Sequence, residues 1–459
     1  MLDTIAPVVP PAPAIHPKDL PAIKLLWGSI RNSLAIWPDY AFDVPFRRNK
    51  LFGIESVLIN DPAGIRYVMA TNAANYVRPV FVPRVLRPLA GRGVLLAEGS
   101  EWRRQRRLLS PSFTPLHVNI LLRHFIAAAA DLVHRLEGQS SANLLAAYQT
   151  AALDAVLRAL FSMPDQKERD RLGDLVRQYF TGPGTPSLFD PFATSETSFA
   201  FTLRGRRAFQ KRWFAAIDAI VAARRAAPHE MDHRDLLDLL IAARDPETGE
   251  ALAADEVRDQ CATMIFAGYE TTARLLFWTS YLLTLDQNEQ SRLRAEIAAF
   301  PPQRVTSLDD LGNWLRLRLV LLEALRLYPP VPIIVREPVE DDEIMSEPAR
   351  RGVQVYVVPW VLHRHRKHWQ HPTAFMPDRF AGQPSPWTSG GAYLPFGAGP
   401  RICLGAVFSL AEAQIMLATV LQRYTLATES NRPVMPVGRL TILPSYTPVF
   451  KLEKTPVRA

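Results

Sequence analysis

One of the two cysteines in this chain of 459 residues lies in Phe396-Gly-Ala-Gly-Pro-Arg-Ile-Cys403-Leu-Gly405. A thiolate held in such a loop can ligate iron. Arg401, two residues earlier, can pair with an anionic cofactor. The glycines let the backbone turn tightly and approach something flat or bulky. A lone cysteine in a glycine-rich loop is more often a small buried hydrophobe. The full spacing F-x-x-G-x-R-x-C-x-G is what favours a ligand.

A second constellation, Ala267-Gly268-Tyr269-Glu270-Thr271-Thr272, sits in a long apolar run from Ala262 to Leu283. Glycine in mid-helix costs about 1 kcal/mol relative to alanine. An acid and two hydroxyls there are penalised unless bonded. An acid beside an alcohol can pass protons. The packing alternative is a helix crossing at Gly268, with Thr271 bonded back to its own helix. A third pair, Glu323 and Arg326, shares a helix face at i and i+3 within apolar flanks, so it is expected to be buried and to need further bonds. Trp102 and Arg106, at i and i+4, also share a face. His363, His365, His368 and His371 lie among Arg364, Arg366 and Lys367. Cations would repel a metal ion, so a basic surface stretch is the preferred reading there.

Taken together and in this order, the motifs resemble those of the cytochrome P450 family over about residues 40–455. The resemblance implies a mainly α fold with a small β-rich part, enclosing haem b. It implies that Cys403 is the axial iron ligand, in a cofactor site with Phe396, Arg401, Gly405, Trp102, Arg106 and Ala267. Arg336 stands where the family often has another propionate arginine, with a solvated surface side chain as an equal alternative. Glu270 and Thr271 match the family's proton-guiding acid–alcohol pair. Phe375-Met-Pro-Asp-Arg379-Phe380 matches a segment whose arginine joins Glu323 and Arg326 in a structural triad. Position 267 is alanine, not the glutamate that attaches haem covalently in one branch, which predicts non-covalent haem.

The implied activity is insertion of one oxygen atom of O2 into a C–H bond of an apolar small molecule. Peroxide-using or isomerising chemistry on the same fold, and a haem sensor without turnover, are the alternatives. Met264, Ala267, Ile333, Ile334 and Leu440 are the expected substrate-pocket positions. The chain ends 56 residues after Cys403, which predicts electrons from separate proteins: an acidic ferredoxin-like donor and its reductase. Arg103, Arg104 and Arg107 are expected to steer that donor.

The elements that must position these groups read as helices over most of residues 116–300, from apolar spacings of three and four. Residues 182–197, rich in Gly and Pro, read as a mobile loop. Short β-like stretches occur near 51–60, 353–360 and 440–451. Residues 1–21 form a proline-rich arm, and 22–459 a single catalytic domain that opens with an amphipathic helix expected to pack on the body. Two cysteines, no basic N-terminal leader and no long uncharged apolar run near the N-terminus predict a cytoplasmic protein of soluble bacterial type, without a transmembrane anchor. The net charge of +8 accompanies no nucleic-acid motif, so an acidic protein is the better partner than nucleic acid.

Overall fold

In the computed structural model the described residues are 7–163, 165–185, 187, 189–226, 235–383, 386–388 and 391–454. Residues 1–6 of the arm and 455–459 of the C-terminal region lie outside them. Residues 7–21 lie on the body without forming a helix or strand. Proline offers no N–H, and the arm binds the body through its carbonyls and through the Asp19 carboxylate, which accepts from Tyr40 O–H and Arg47. Phe375 N–H donates to Val8 O at 2.8 Å, Tyr328 O–H to Pro11 O at 2.9 Å, and Asp39 N–H to His16 O at 2.7 Å.

The helix that follows, α1 (Ala22–Arg31), packs on the body as expected, but only through half-buried residues such as Leu25, Leu26 and Ile30. None of its residues is buried, and Ile23 and Trp27 are 67% and 46% exposed. The β-like stretch near 51–60 holds the turn and second strand of a hairpin. Strands β1 (Phe46–Leu51) and β2 (Ile54–Ile59) meet at Phe52-Gly53, both left-handed, with φ of 48° and 85°. With β3 (Tyr76–Val77), β4 (Ile334–Pro338) and β5 (Gln354–Val357) they form a sheet of order β1-β2-β5-β4-β3. Only the β2–β5 pairing is parallel. The stretch near 353–360 ends as a strand at Val357, because Pro359 opens a helical turn. The C-terminal stretch resolves into Ile442–Pro444 and Phe450–Lys454.

The helices that carry or frame the site are α2 (Phe81–Ala90), α3 (Gly99–Leu109), α4 (Pro115–Leu136), α5 (Leu144–Phe161), α6 (Arg204–Ala226), α7 (Ala254–Leu285), α8 (Leu315–Leu327) and α9 (Ala406–Arg423). Both α4 and α5 are long and apolar enough to cross a membrane, but 44% and 72% of their most apolar stretches are buried inside the protein. Helix α7 runs through the core. Between Cys261 and Leu283 only Met264, Phe266, Ala267, Gly268 and Thr271 are not buried, and they mark one side of it. A Cβ on Gly268 would stand 2.8 Å from Val156 Cγ2, so glycine is what lets α5 cross α7 here.

Two sequence expectations fail on long-range contacts. The segment read as a mobile loop is pinned by Asp190, a buried carboxylate. Asp190 accepts from Arg84 Nε at 2.7 Å, from Arg206 Nη1 and Nη2 at 3.0 and 2.8 Å, and from Ser187 N–H at 2.7 Å. Arg84 also donates to Glu196 O and Thr202 Oγ1, and Arg206 to Pro183 O and Thr185 O. The histidine stretch is a surface only in its second half, where Arg366, Lys367, His368 and His371 are exposed. His363, Arg364 and His365 are buried, and the Arg364 guanidinium lies 3.5 Å from the Trp360 ring centroid.

Candidate active site

A cavity of about 870 Å³ lies between α7, the cysteine loop, the sheet and α1. Its lining includes Trp102, Arg106, Met264, Ala267, Glu270, Thr271, Ile333, Ile334, Arg336, Phe396, Arg401, Cys403, Gly405 and Leu440. Every cofactor, proton-guiding and pocket residue expected from sequence therefore borders one space.

The cysteine loop is closed by main-chain bonds. Gly397 N–H donates to Leu394 O at 3.2 Å, Ile402 N–H to Gly399 O at 3.1 Å, and Cys403 N–H to Phe396 O at 2.9 Å. Gly399 has φ of 66°, and a Cβ there would meet Met69 O at 2.0 Å, so only glycine fits. Cys403 follows as the residue that opens to the cavity, just before α9 begins. Desolvation by the surrounding protein raises the Cys403 thiol, against the Gly405 N–H and the Arg106 guanidinium, which favour thiolate. Cys261 is fully buried in the core, where desolvation pushes its thiol further up.

Beside the loop is a cluster of cations. Arg401 stacks over the Trp102 ring at 4.4 Å, donates to Ala97 O at 3.0 Å and pairs with Glu98. Arg78 pairs with the same Glu98 at 2.8 Å. Arg336 is buried and its one hydrogen bond among the described residues goes to its own neighbour, Val335 O. Burial, then Arg78 and Arg401, push its pKa down to about 9. Arg106 makes no ion pair among the described residues, and burial lowers it too. Such orphaned, desolvated cations call for an anion.

On α7 the two readings of the sequence coexist. Thr271 Oγ1 donates to Ala267 O at 2.7 Å, as the packing alternative expected, yet the residue lines the cavity. Glu270 is buried and engaged. Oε1 accepts from Arg274 Nε and Nη2 at 2.8 and 2.5 Å, and Oε2 from Gln149 Nε2 at 3.2 Å. Behind the cysteine loop, Glu323, Arg326 and Arg379 meet away from the cavity. Glu323 accepts from Arg326 Nε and Nη2, both at 2.7 Å, from Arg379 Nε at 3.1 Å and from Met376 N–H at 2.9 Å. Arg326 spends its remaining donors on the carbonyls of His363, Pro372 and Ala374. The pair is satisfied in full, as a buried pair must be.

A sequence model of the cytochrome P450 family matches residues 44–451. Cytokinin hydroxylase of Arabidopsis thaliana is 31% identical over 375 residues, covering 78% of this chain and 71% of the relative. The chain belongs to the cytochrome P450 family. Cytochrome P450 4V2 of Rattus norvegicus is 27% identical, covering 82% of this chain and 76% of its own length. The chloroplastic protein LUTEIN DEFICIENT 5 of Arabidopsis thaliana is 25% identical over 91% of this chain and 74% of its own. The crystal structure of the cytochrome P450DA heme domain shares the fold, with a TM-score of 0.78 and 98% of each chain covered at 24% identity. The protein is thus an oxidoreductase of the monooxygenase class, using haem b with a cysteine thiolate as axial ligand. The relatives named by sequence are plant and animal proteins, so the expected bacterial type gains no support from them.

The residues present fit that cofactor. A sulfur opens into the cavity, cations without anionic partners flank it, and the remaining lining is mostly apolar. Alanine at 267 offers no carboxylate for covalent attachment to the haem edge. Arg78 and Glu98 were not expected from sequence. Arg78 follows a two-residue strand and belongs to no motif, so only the fold brings it to Arg401. Leu25 and Leu26 of α1, with Phe52 and Phe192, also line the cavity, and nothing in their spacing announces it. The steering arginines need correction. Arg104 pairs with Glu256, and Arg107 with Asp245 and Glu247 at 2.8 and 2.9 Å. Only Arg103 is exposed and free of ion pairs among the described residues.

Proposed function

We propose that Cys403 is the thiolate ligand of haem b, and that the enzyme hydroxylates an apolar small molecule at the end of the cavity bordered by Met264, Ala267, Ile333, Ile334 and Leu440. The observation that carries this reading is a single cavity with one accessible sulfur, a fringe of unpaired arginines and an apolar remainder. The bound haem supplies oxygen activation, which thiolate ligation favours. The protein's own groups do the rest. Arg106, Arg336 and Arg401, with the Trp102 indole, hold the propionate side. Thr271, and Glu270 through its bonded carboxyl, guide protons. The names of relatives, a cytokinin hydroxylase among them, support hydroxylation, while the apolar lining admits a fatty acid, terpenoid, steroid or aromatic compound.

Electrons are proposed to come from an acidic ferredoxin-like donor with its reductase, in the cytoplasm. The net charge of +8 and the exposed Arg103 support the former, and two free cysteines, one needed as thiolate, fit a reducing compartment. The deciding experiment is the spectrum of reduced protein with carbon monoxide. A red-shifted Soret band should appear, vanish in Cys403→Ala and persist in Cys261→Ala; the opposite pattern overturns the assignment. A panel of the four compound classes, scored by haem spectral change and by product, then assigns the substrate. Arg103→Glu should slow reduction by a ferredoxin and spare reduction by dithionite, and equal ferredoxin-driven rates would reject the docking role.

A further inference from the structure

Four arginines, Arg78, Arg106, Arg336 and Arg401, line the cavity on the side of the cysteine loop. The two propionates of a bound haem would leave that cluster with an excess of positive charge. One acid of the chain is already aimed at the excess. Glu98 Oε1 accepts from Arg78 Nη1 at 2.8 Å and from the Arg78 N–H at 3.2 Å, and Oε2 accepts from Arg401. Both oxygens are therefore spent on cavity arginines, while Glu98 itself does not line the cavity. It stands behind them.

The local structure gives something up for this. Glu98 is the residue from which α3 starts, with extended backbone (φ −127°, ψ 165°) and a carbonyl that accepts from Trp102 N–H at 3.2 Å. At that position Ser, Thr, Asp or Asn normally bonds the first free N–H groups of the helix with its side chain. The Glu98 side chain makes no such bond. A local preference set aside in this way points to a demand from the site. The demand is electrostatic. Burial, then Arg78 and Arg401, depress Arg336, and burial, then Arg78, depress Arg401; Glu98 acts in the opposite sense on both. Its carboxylate also links three separate pieces of chain: α3 with Trp102 and Arg106, the residue after β3, and the cysteine loop.

Resting on the haem site assigned above, we propose that Glu98 is a fixed counter-charge that lowers the reduction potential of the bound haem, acting through Arg78 and Arg401. The step concerned is the uptake of one electron, given up by the donor protein, that converts ferric haem to ferrous. The added negative charge is favoured by the arginines and opposed by Glu98. With Glu98 in place the four cations count as three, which keeps the resting enzyme oxidised against weak reductants. Glu98 has a side chain 31% exposed, against 12% and 10% for Arg78 and Arg401, so solvent screens its effect without removing it. Separated from the cavity by the arginines, Glu98 is a positioning residue.

Spectroelectrochemical titration of the full-length, haem-loaded protein, with neither substrate nor donor present, tests this. Glu98→Gln should raise the equilibrium constant for reduction about three- to tenfold, tenfold being 59 mV for one electron. Arg78→Gln should lower it by a similar factor, and the double variant should return close to the wild type. Glu98→Ser, which supplies a preferred helix start but no charge, should match Glu98→Gln. A residue that only starts α3 predicts instead a Glu98→Ser protein with the wild-type potential, or shifts of the same sign in Glu98→Gln and Arg78→Gln. Either result overturns the proposal, as does failure of both neutral Glu98 variants to retain haem. A wild type without the red-shifted carbon monoxide band rejects the Cys403 site and this role with it. The band present with potentials unmoved in the Glu98 variants rejects the role of Glu98 alone.

Discussion

The two ends of the cavity are built differently. Behind the cysteine loop, Glu323 and Arg326 are wholly buried and bonded at every donor and acceptor, to each other, to Arg379 and to main chain gathered from residues 363–376. On the far side, residues 182–203 are held through two arginines of other helices, Arg84 and Arg206, which share the carboxylate of Asp190 and also bond Pro183 O, Thr185 O, Glu196 O and Thr202 Oγ1, with an Arg87–Glu196 pair beside them. Phe189, Phe199 and Phe201 of that segment pack on one another outside the core and remain exposed. The first construction spreads its load over many partners, side chain and main chain alike. The second gathers it on Asp190 and the two arginines that reach it. The cysteine side is thus suited to fixed geometry and the far side to being changed.

The widest separation should come from Arg326→Leu. Breaking a buried, fully bonded pair costs about 3–5 kcal/mol, and here Glu323 and three carbonyls lose donors together. Chemical denaturation should report that loss and purified protein should carry less haem. A loss near that of exposed pairs, below about 1 kcal/mol, would erase the contrast. Asp190→Asn leaves buried Arg84 and Arg206 without their anion, so its cost should be comparable, about 3–5 kcal/mol, but local. Hydrogen exchange should rise across 182–203 and stay unchanged in α8 and α9. Exchange that rises equally in all three would show that the far side is no separate unit.

Acid should distinguish the two ends most finely. His363 keeps its ring neutral, giving Nδ1–H to Arg326 O at 3.2 Å and accepting from Leu394 N–H at 2.8 Å through Nε2. Burial, with Arg326 beside it, pushes its pKa down to about 3. The unfolded chain protonates this histidine below about 6.5, while the folded chain does not. Stability is therefore intact above that pH and falls by up to about 1.4 kcal/mol per pH unit as pH drops toward 3. Asp190 is held below its ordinary value of 3.8, where hydrogen bonds from Arg206, Ser187 and Arg84 outweigh its desolvation, so its contribution is lost only in stronger acid. Urea melts down the pH scale should weaken the cysteine side first, and His363→Gln should flatten that early part of the profile. An unaltered profile in His363→Gln would assign the early loss elsewhere.

Much of the first end can be read in the chain, because its residues lie in short motifs whose chemistry constrains their spacing. Cys403, Arg401, Glu323 and Arg326 are legible that way, as is the helical periodicity of α4 to α7. What escapes depends on partners far off in sequence. Asp190 sits among glycines and prolines that read as a loose connection, and only Arg84 and Arg206 make it a clasp. His363 and His365 sit among cations that read as surface, and the indole of Trp360 and the carbonyl of Leu327 bury Arg364 between them.

The proline-rich arm has a practical consequence. It gives carbonyls and the Asp19 carboxylate, and the groups these satisfy belong to the body: the amides of Phe375 and Asp39, the hydroxyls of Tyr328 and Tyr40 and the guanidinium of Arg47. Phe375 and Tyr328 are themselves buried, next to the Glu323 network. A gene trimmed to begin at α1 would leave those donors unanswered beneath the cysteine loop, and a bulky fusion joined at the front would pull on them. Where a recombinant chain is started, or an affinity tag attached, is therefore a decision about haem retention as well as convenience.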